Sequence, residues 1–153
     1  NSSTFCLNFA QKNKNMYPFL LNLHSGLRYV VLVLITFALF RATIAWFGEK
    51  PYSGNYRKLN LFAMISAHTQ FLVGLILYFY SPFVKLSPMG ETMKDSTLRY
   101  WTVEHVAMML FAVVLITIGH SRSKKATDDA SKHRAITLFY GLAVLIIVVA
   151  IGQ

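Results

Sequence analysis

Cysteine occurs once in the 153-residue chain, at Cys6, which leaves no disulfide framework, no CxxC zinc site and no CxxCH covalent haem attachment. Carboxylates are scarce too. Six Asp and Glu stand against 15 Lys and Arg, and charged residues make up 14% of the sequence, where a soluble domain has about 25%. With so few carboxylates and no HxxxH spacing, a structural zinc or iron–sulfur centre has no donor set. There is no nucleophile elbow, P-loop or dinucleotide fingerprint, so hydrolytic and nucleotide-dependent chemistry lack a constellation. What is present is apolar: 55% of residues are hydrophobic and mean hydropathy is +0.46. That composition predicts a single integral membrane domain. The net charge of +9 does not point to nucleic acid, because the cations lie in short loops and at helix ends rather than on one soluble basic face.

Four apolar stretches each suffice to cross a bilayer as a helix: about 18–47, 61–80, 100–120 and 135–151. The expected fold is an all-α, integral membrane four-helix bundle, up-down-up-down, with both termini on the same, outer side. Residues 1–15 read as a polar N-terminal extension lacking the apolar h-region of a secretory signal, with Met16 expected as the natural start of a domain over 16–153. The loop Gly48–Asn60 carries Pro, Gly and three basic residues, and Ser81–Arg99 contains Pro82, Pro88 and Gly90. Asp95 or Ser96 is expected to cap the third span. Asp128, Asp129 or Ser131 is expected to cap the fourth. Arg28 and Arg41 bracket the core of the first span and are placed to snorkel to opposite interfaces.

Lys50, Arg57, Lys58, Arg122, Lys124, Lys125, Lys132 and Arg134 all fall in the two loops on one side. The other side has Lys85, Lys94 and Arg99, plus Lys12 and Lys14 of the extension. The positive-inside rule then puts the two basic loops in the cytoplasm of a bacterial inner membrane.

The stretch from Trp101 to His120 (WTVEHVAMMLFAVVLITIGH) carries the chemistry. It has a histidine near each end, Glu104 beside the first, and no polar outer face at helical period. Ionisable groups in hydrocarbon are costly and usually functional. His24 and His105 lie at matched depth in the first and third spans, each roughly 8 Å below the outer interface at 1.5 Å rise per residue. Two imidazoles at equal depth in a helix bundle are what a bis-histidine haem needs, although the same pair would also serve as interfacial hydrogen-bonding residues tying helices together.

Arg28, one turn from His24, and Arg99, near the start of the third span, are candidate partners for haem propionates. Glu104 is a candidate outer partner or proton carrier. His68 sits near mid-membrane in the second span. With His120, about 10 Å shallower, it would make a second haem site; it is otherwise a helix contact, an alternative ligand or a quinone hydrogen-bond donor. Met108 and Met109 read as packing, Gly74 and Gly141 as close helix contacts, and His133, between Lys132 and Arg134, as a solvated loop residue.

LHSGLRYVVL in the first span, QFLVGLILYFYSP closing the second and MKDSTLRYWTVEH leading into the third resemble a family of small four-span bacterial membrane proteins labelled "cytochrome B" or uncharacterised, found largely in Bacteroidetes. The resemblance runs from about Tyr17 to Gln153 and includes KHR at Lys132–Arg134. It implies a b-type haem in a four-helix bundle. The resulting expectation is a membrane cytochrome with one haem b held by His24 and His105, taking part in electron transfer rather than acting as a stand-alone enzyme. Its expected partners are membrane lipids, a quinone and other membrane redox subunits. The rival expectations are a haem-free accessory subunit of a larger complex and a metal or proton conduit lined by His24, His68 and His105.

Overall fold

A computed structural model of the protein describes residues 2–152, and side chains over 16–152; the side chains of the expected N-terminal extension lie outside the described residues. The described chain is helical throughout: α1 (Ser2–Phe47), α2 (Gly54–Tyr80), α3 (Met89–Thr92), α4 (Ser96–Arg99), a π-helical turn (Tyr100–Glu104), α5 (His105–Lys125) and α6 (Asp129–Ile151). Met16–Phe47, Gly54–Tyr80, Ser96–Lys125 and Asp129–Ile151 are each long and apolar enough to cross a membrane. These helices outrun the apolar stretches of the sequence. The reason is that backbone hydrogen bonding continues past the hydrocarbon boundary, and the basic residues at the helix ends do not break it.

The bundle is packed through a seam of small residues. Ala38, Ala42 and Ala45 of α1, Ala63 and Ala67 of α2, Ala112 and Gly119 of α5 and Ala143 of α6 are buried, around Ile35, Ile116, Ile136 and Tyr140. Small side chains let backbones approach, and dispersion contact rather than water exclusion then holds helices together in lipid. The outer surface is the reverse: Val33, Phe40, Phe62, Phe79, Phe111 and Leu145 are among many large apolar side chains turned outward. An apolar exterior around a tight small-residue interior is the pattern of an integral membrane bundle.

Polar contacts place the helix ends. Gln70 of α2 reaches the His24 carbonyl of α1, while Arg41, later in α1, lies over the Tyr56 ring near the start of α2. Tyr100, just before α5, reaches the Ala150 carbonyl at the end of α6, while Gly119 lies against Phe139 and Tyr140. The loop joining α1 to α2 meets the end of α5 and the start of α6: Tyr52 accepts from Ser123, and His133 Nε2 lies 3.1 Å from the Lys50 carbonyl.

Two expectations need correction. His133 is not a solvated loop residue: it is 0% exposed, within the first turns of α6, and its ring packs 5.0 Å from Tyr52 and 4.8 Å from Tyr56. Arg134 beside it is exposed, while Lys132 reaches over the Tyr52 ring that covers His133. The segment 81–99 is not a bare loop either. It folds back through α3 and α4, with Thr92 donating to the Lys85 carbonyl (2.9 Å) and the Lys85 amide donating to Thr102 (3.1 Å).

Among the candidate caps, Asp95 accepts from the Leu98 amide and Asp128 from the Ser131 amide. The Ser131 hydroxyl and amide hold the Asp128 carboxyl below the usual carboxylate range. A depressed carboxyl stabilises the folded state above its unfolded pKa of about 3.9 and loses that contribution as pH falls through the folded value. Asp128→Ala is therefore expected to lower the thermal unfolding temperature of detergent-purified protein at pH 7. The gap from wild type should close as the protein is acidified through the folded-state pKa of Asp128.

Candidate functional site

His24 of α1 and His105 of α5 meet inside the bundle. Their ring centroids are 6.5 Å apart with the ring planes at 73°. Both imidazoles are partly buried. The rings meet edge to face, bringing an imidazole from each of two helices into one place. Among the described residues no three of His, Cys, Asp and Glu gather in one place. The pair thus presents two imidazoles and no third donor of these types among the described residues.

The surroundings of each ring differ. His24 Nδ1 is buried without a hydrogen-bond partner. The ring lies against Gly74 of α2, where a Cβ would come within 2.8 Å of His24 Cε1 and 3.2 Å of Nδ1. Gln70, one turn before Gly74, donates 2.8 Å to the His24 carbonyl, so a single face of α2 both grips the His24 backbone and leaves room for its ring.

His105 is held from its own segment. Its amide bonds to the Tyr100 carbonyl five residues back, closing the π turn. That turn places the Tyr100 hydroxyl 3.2 Å from His105 Nδ1, and the same hydroxyl donates to the Ala150 carbonyl. A hydroxyl has one proton. With that proton committed to Ala150, the Tyr100 oxygen accepts from His105 Nδ1–H. The tautomer follows: His105 Nε2 keeps its lone pair, which is the state a metal ligand needs. Trp101 packs 5.3 Å from the His105 ring and walls it on a further side. π turns inserted in α-helices occur frequently at functional sites.

The other expected site residues are distributed as follows. Glu104 pairs with Arg99 at 2.6 Å, and Arg99 also donates to the Met93 carbonyl, so this cation already has a carboxylate. Arg28 turns to Tyr29, donating 3.0 Å to its hydroxyl. His68 lies apart from the His24–His105 pair, with Nδ1 2.8 Å from the Met64 carbonyl and Nε2 3.3 Å from the Thr117 hydroxyl of α5. His120 sits at the far end of α5 beside Arg57, Ser123, Lys124 and Lys132.

Sequence reasoning misses Tyr100, Trp101 and the ring contact of Gly74 as parts of the site. Gln70 and Gly74 carry a signal, a polar residue and a glycine one turn apart in an apolar span. Tyr100 carries none, because residues five apart on an α-helix diverge by about 140°. No protein-family model, no curated protein and no solved structure matches the chain.

Proposed function

We propose that this protein is a membrane cytochrome in which His24 and His105 hold one haem b near the outer face of a bacterial inner membrane. The observation that carries the reading is the 6.5 Å approach of the two imidazoles from different helices. Support comes from the Tyr100 hydroxyl beside His105 Nδ1 and from the fit of the His24 ring against Gly74. The resemblance of the LHSGLRYVVL and MKDSTLRYWTVEH segments to small four-span cytochrome B-like proteins adds to it.

When bound there, the haem supplies one-electron transfer, as b-type groups do. The chain's own residues orient the two ligands, hold both imidazoles in a largely apolar interior and exclude water by Trp101 and the surrounding lipid. Arg28, one turn from His24, is the nearer candidate for a propionate, since Arg99 is already matched by Glu104. A single haem is favoured over two, because His24 and His105 pack ring to ring whereas His68 lies beside Thr117 of α5. In this reading the four spans run up-down-up-down, both termini face outward, the basic loops are cytoplasmic, and a quinone or neighbouring redox subunit exchanges electrons with the outer site.

The direct test is a reduced-minus-oxidised visible spectrum of detergent-purified protein after haem-replete expression. A b-type spectrum supports the assignment; a folded, colourless protein leaves the accessory-subunit reading instead. A second test uses the space beside His24. Gly74→Leu is expected to displace the His24 ring and weaken haem retention by about 10–100-fold, the usual effect of disturbing a ligand's support. Gly26→Leu, at a glycine where an added Cβ would meet nothing within 4 Å, is expected to leave retention unchanged.

A further inference from the structure

At the end of the bundle away from His24 and His105, a cleft of about 400 Å³ opens between the two basic loops. It is lined by Tyr52, Ser53, Gly54, Arg57, His120, Ser123, Lys124 and Lys132. No carboxylate lines it. Lys132 is partly neutralised by Asp129 at 2.9 Å. Arg57 and Lys124 have no carboxylate partner among the described residues, whose two ion pairs are Arg99–Glu104 and Lys132–Asp129.

Two further features border the same space. Gly54 begins α2, and Ser53 before it makes no side-chain cap; the Tyr56 and Arg57 amides bond the Ser53 carbonyl, which leaves the Gly54 and Asn55 amides without an intrahelical acceptor and favouring an anion. His120 Nδ1 is buried and has no partner. Two cations without a carboxylate partner and the free amides at the start of α2 meet in one concave site beside His120, and cations and amides are satisfied by the same chemistry.

We propose that this cleft binds a phosphate group, with Arg57 as the planar, bidentate contact and Lys124 as the point charge. Ser53 and the first amides of α2 complete the oxygen shell. The position suits the phosphate of an anionic lipid at the membrane surface as well as a soluble phosphate entering from the aqueous side. His120 stands 15 residues beyond His105, roughly 22 Å along α5 at 1.5 Å per residue. The site is therefore separate from the histidine pair, and its standing does not depend on whether haem is bound.

The test uses full-length protein in neutral detergent and reads thermal unfolding with two probes: dioleoyl phosphatidylglycerol against phosphatidylcholine, and sodium phosphate against sodium chloride at equal ionic strength. A ligand that binds only the folded state raises the unfolding temperature. Arg57 and Lys124 are exposed, so Arg57→Gln and Lys124→Gln are compatible with folding, and each variant is compared with itself without ligand. Stabilisation by phosphatidylglycerol alone, weakened at least about tenfold in midpoint concentration by either substitution and unchanged by Lys125→Gln, assigns the cleft to a lipid headgroup; tenfold corresponds to about 1.4 kcal/mol. The same pattern with inorganic phosphate assigns it to a soluble anion. Absence of stabilisation by either probe overturns the proposal, as does stabilisation that survives both substitutions or falls equally with Lys125→Gln.

Discussion

Replacing His105 by alanine is expected to abolish the b-type spectrum of the purified protein, and His24→Ala to do the same, while both variants keep the helical circular dichroism of wild type. Each substitution removes one of the two proposed donors and leaves the small-residue seam untouched, since neither histidine belongs to the buried core of Ile35, Ala38, Ala63, Ala112, Ile116 and Tyr140. His68→Ala is the informative companion. It removes a contact between His68 and Thr117 of the kind worth about 0.6 kcal/mol on average in membranes, and it is expected to retain the spectrum. Loss of haem in His68→Ala with retention in His24→Ala would reverse the ligand assignment. Tyr100→Phe refines the result: without the hydroxyl the His105 tautomer is no longer set, so a weaker or shifted spectrum is expected instead of complete loss.

The second large effect is structural. Gly119→Val is expected to destabilise the protein by about 3 kcal/mol, read as a drop in thermal unfolding temperature or as a loss of monodisperse protein in detergent. A Cβ at Gly119 would lie 2.7 Å from Phe139 Cβ and 3.3 Å from Tyr140 Cδ1, where carbon atoms at rest are about 3.5–4.0 Å apart. Phe139 Cβ is fixed to the α6 backbone and cannot rotate away, so α6 itself must shift. Tyr140 is fully buried and donates 2.8 Å to the Asn60 carbonyl, so the shift also strains a bond that ties α6 to α2. Gly141→Ala is the control. Its Cβ would meet only Leu39 Cδ1 at 3.7 Å, and a change below about 1 kcal/mol is expected. Equal stability of Gly119→Val and wild type would mean that α5 and α6 are not packed this closely.

Different layers of this arrangement are legible in the sequence to different degrees. The four spans are legible because lipid offers no partner for a free amide or carbonyl, so a long apolar run has essentially one way to satisfy its backbone. The capping by Asp95 and Asp128 is legible because it depends on residues three positions apart. The candidate ligands are legible as types and depths, since an ionisable residue in an apolar run is conspicuous at any rotation of its helix.

Rotation itself is not legible. In lipid every face of α5 is compatible with its solvent, and the apolar pattern carries no outward-facing stripe to orient it; packing between small residues decides which way His105 points. The π turn adds a second change. It pairs Arg99 with Glu104 and Tyr100 with His105, both five residues apart, where a regular helix would spread them by about 140°. His133 shows the same limit from the other side: surrounded by cations in sequence, it is buried because Tyr52 and Tyr56 of another helix and its approach close over it. By itself the sequence determined which four segments are apolar helices long enough to span a membrane and which aspartates cap two of the helices, both set by local hydrogen bonding and by the apolar solvent those segments suit. Only the tertiary structure decided which histidines meet and which cations are left unpaired, because those depend on helix rotation and on contacts between segments far apart in the chain.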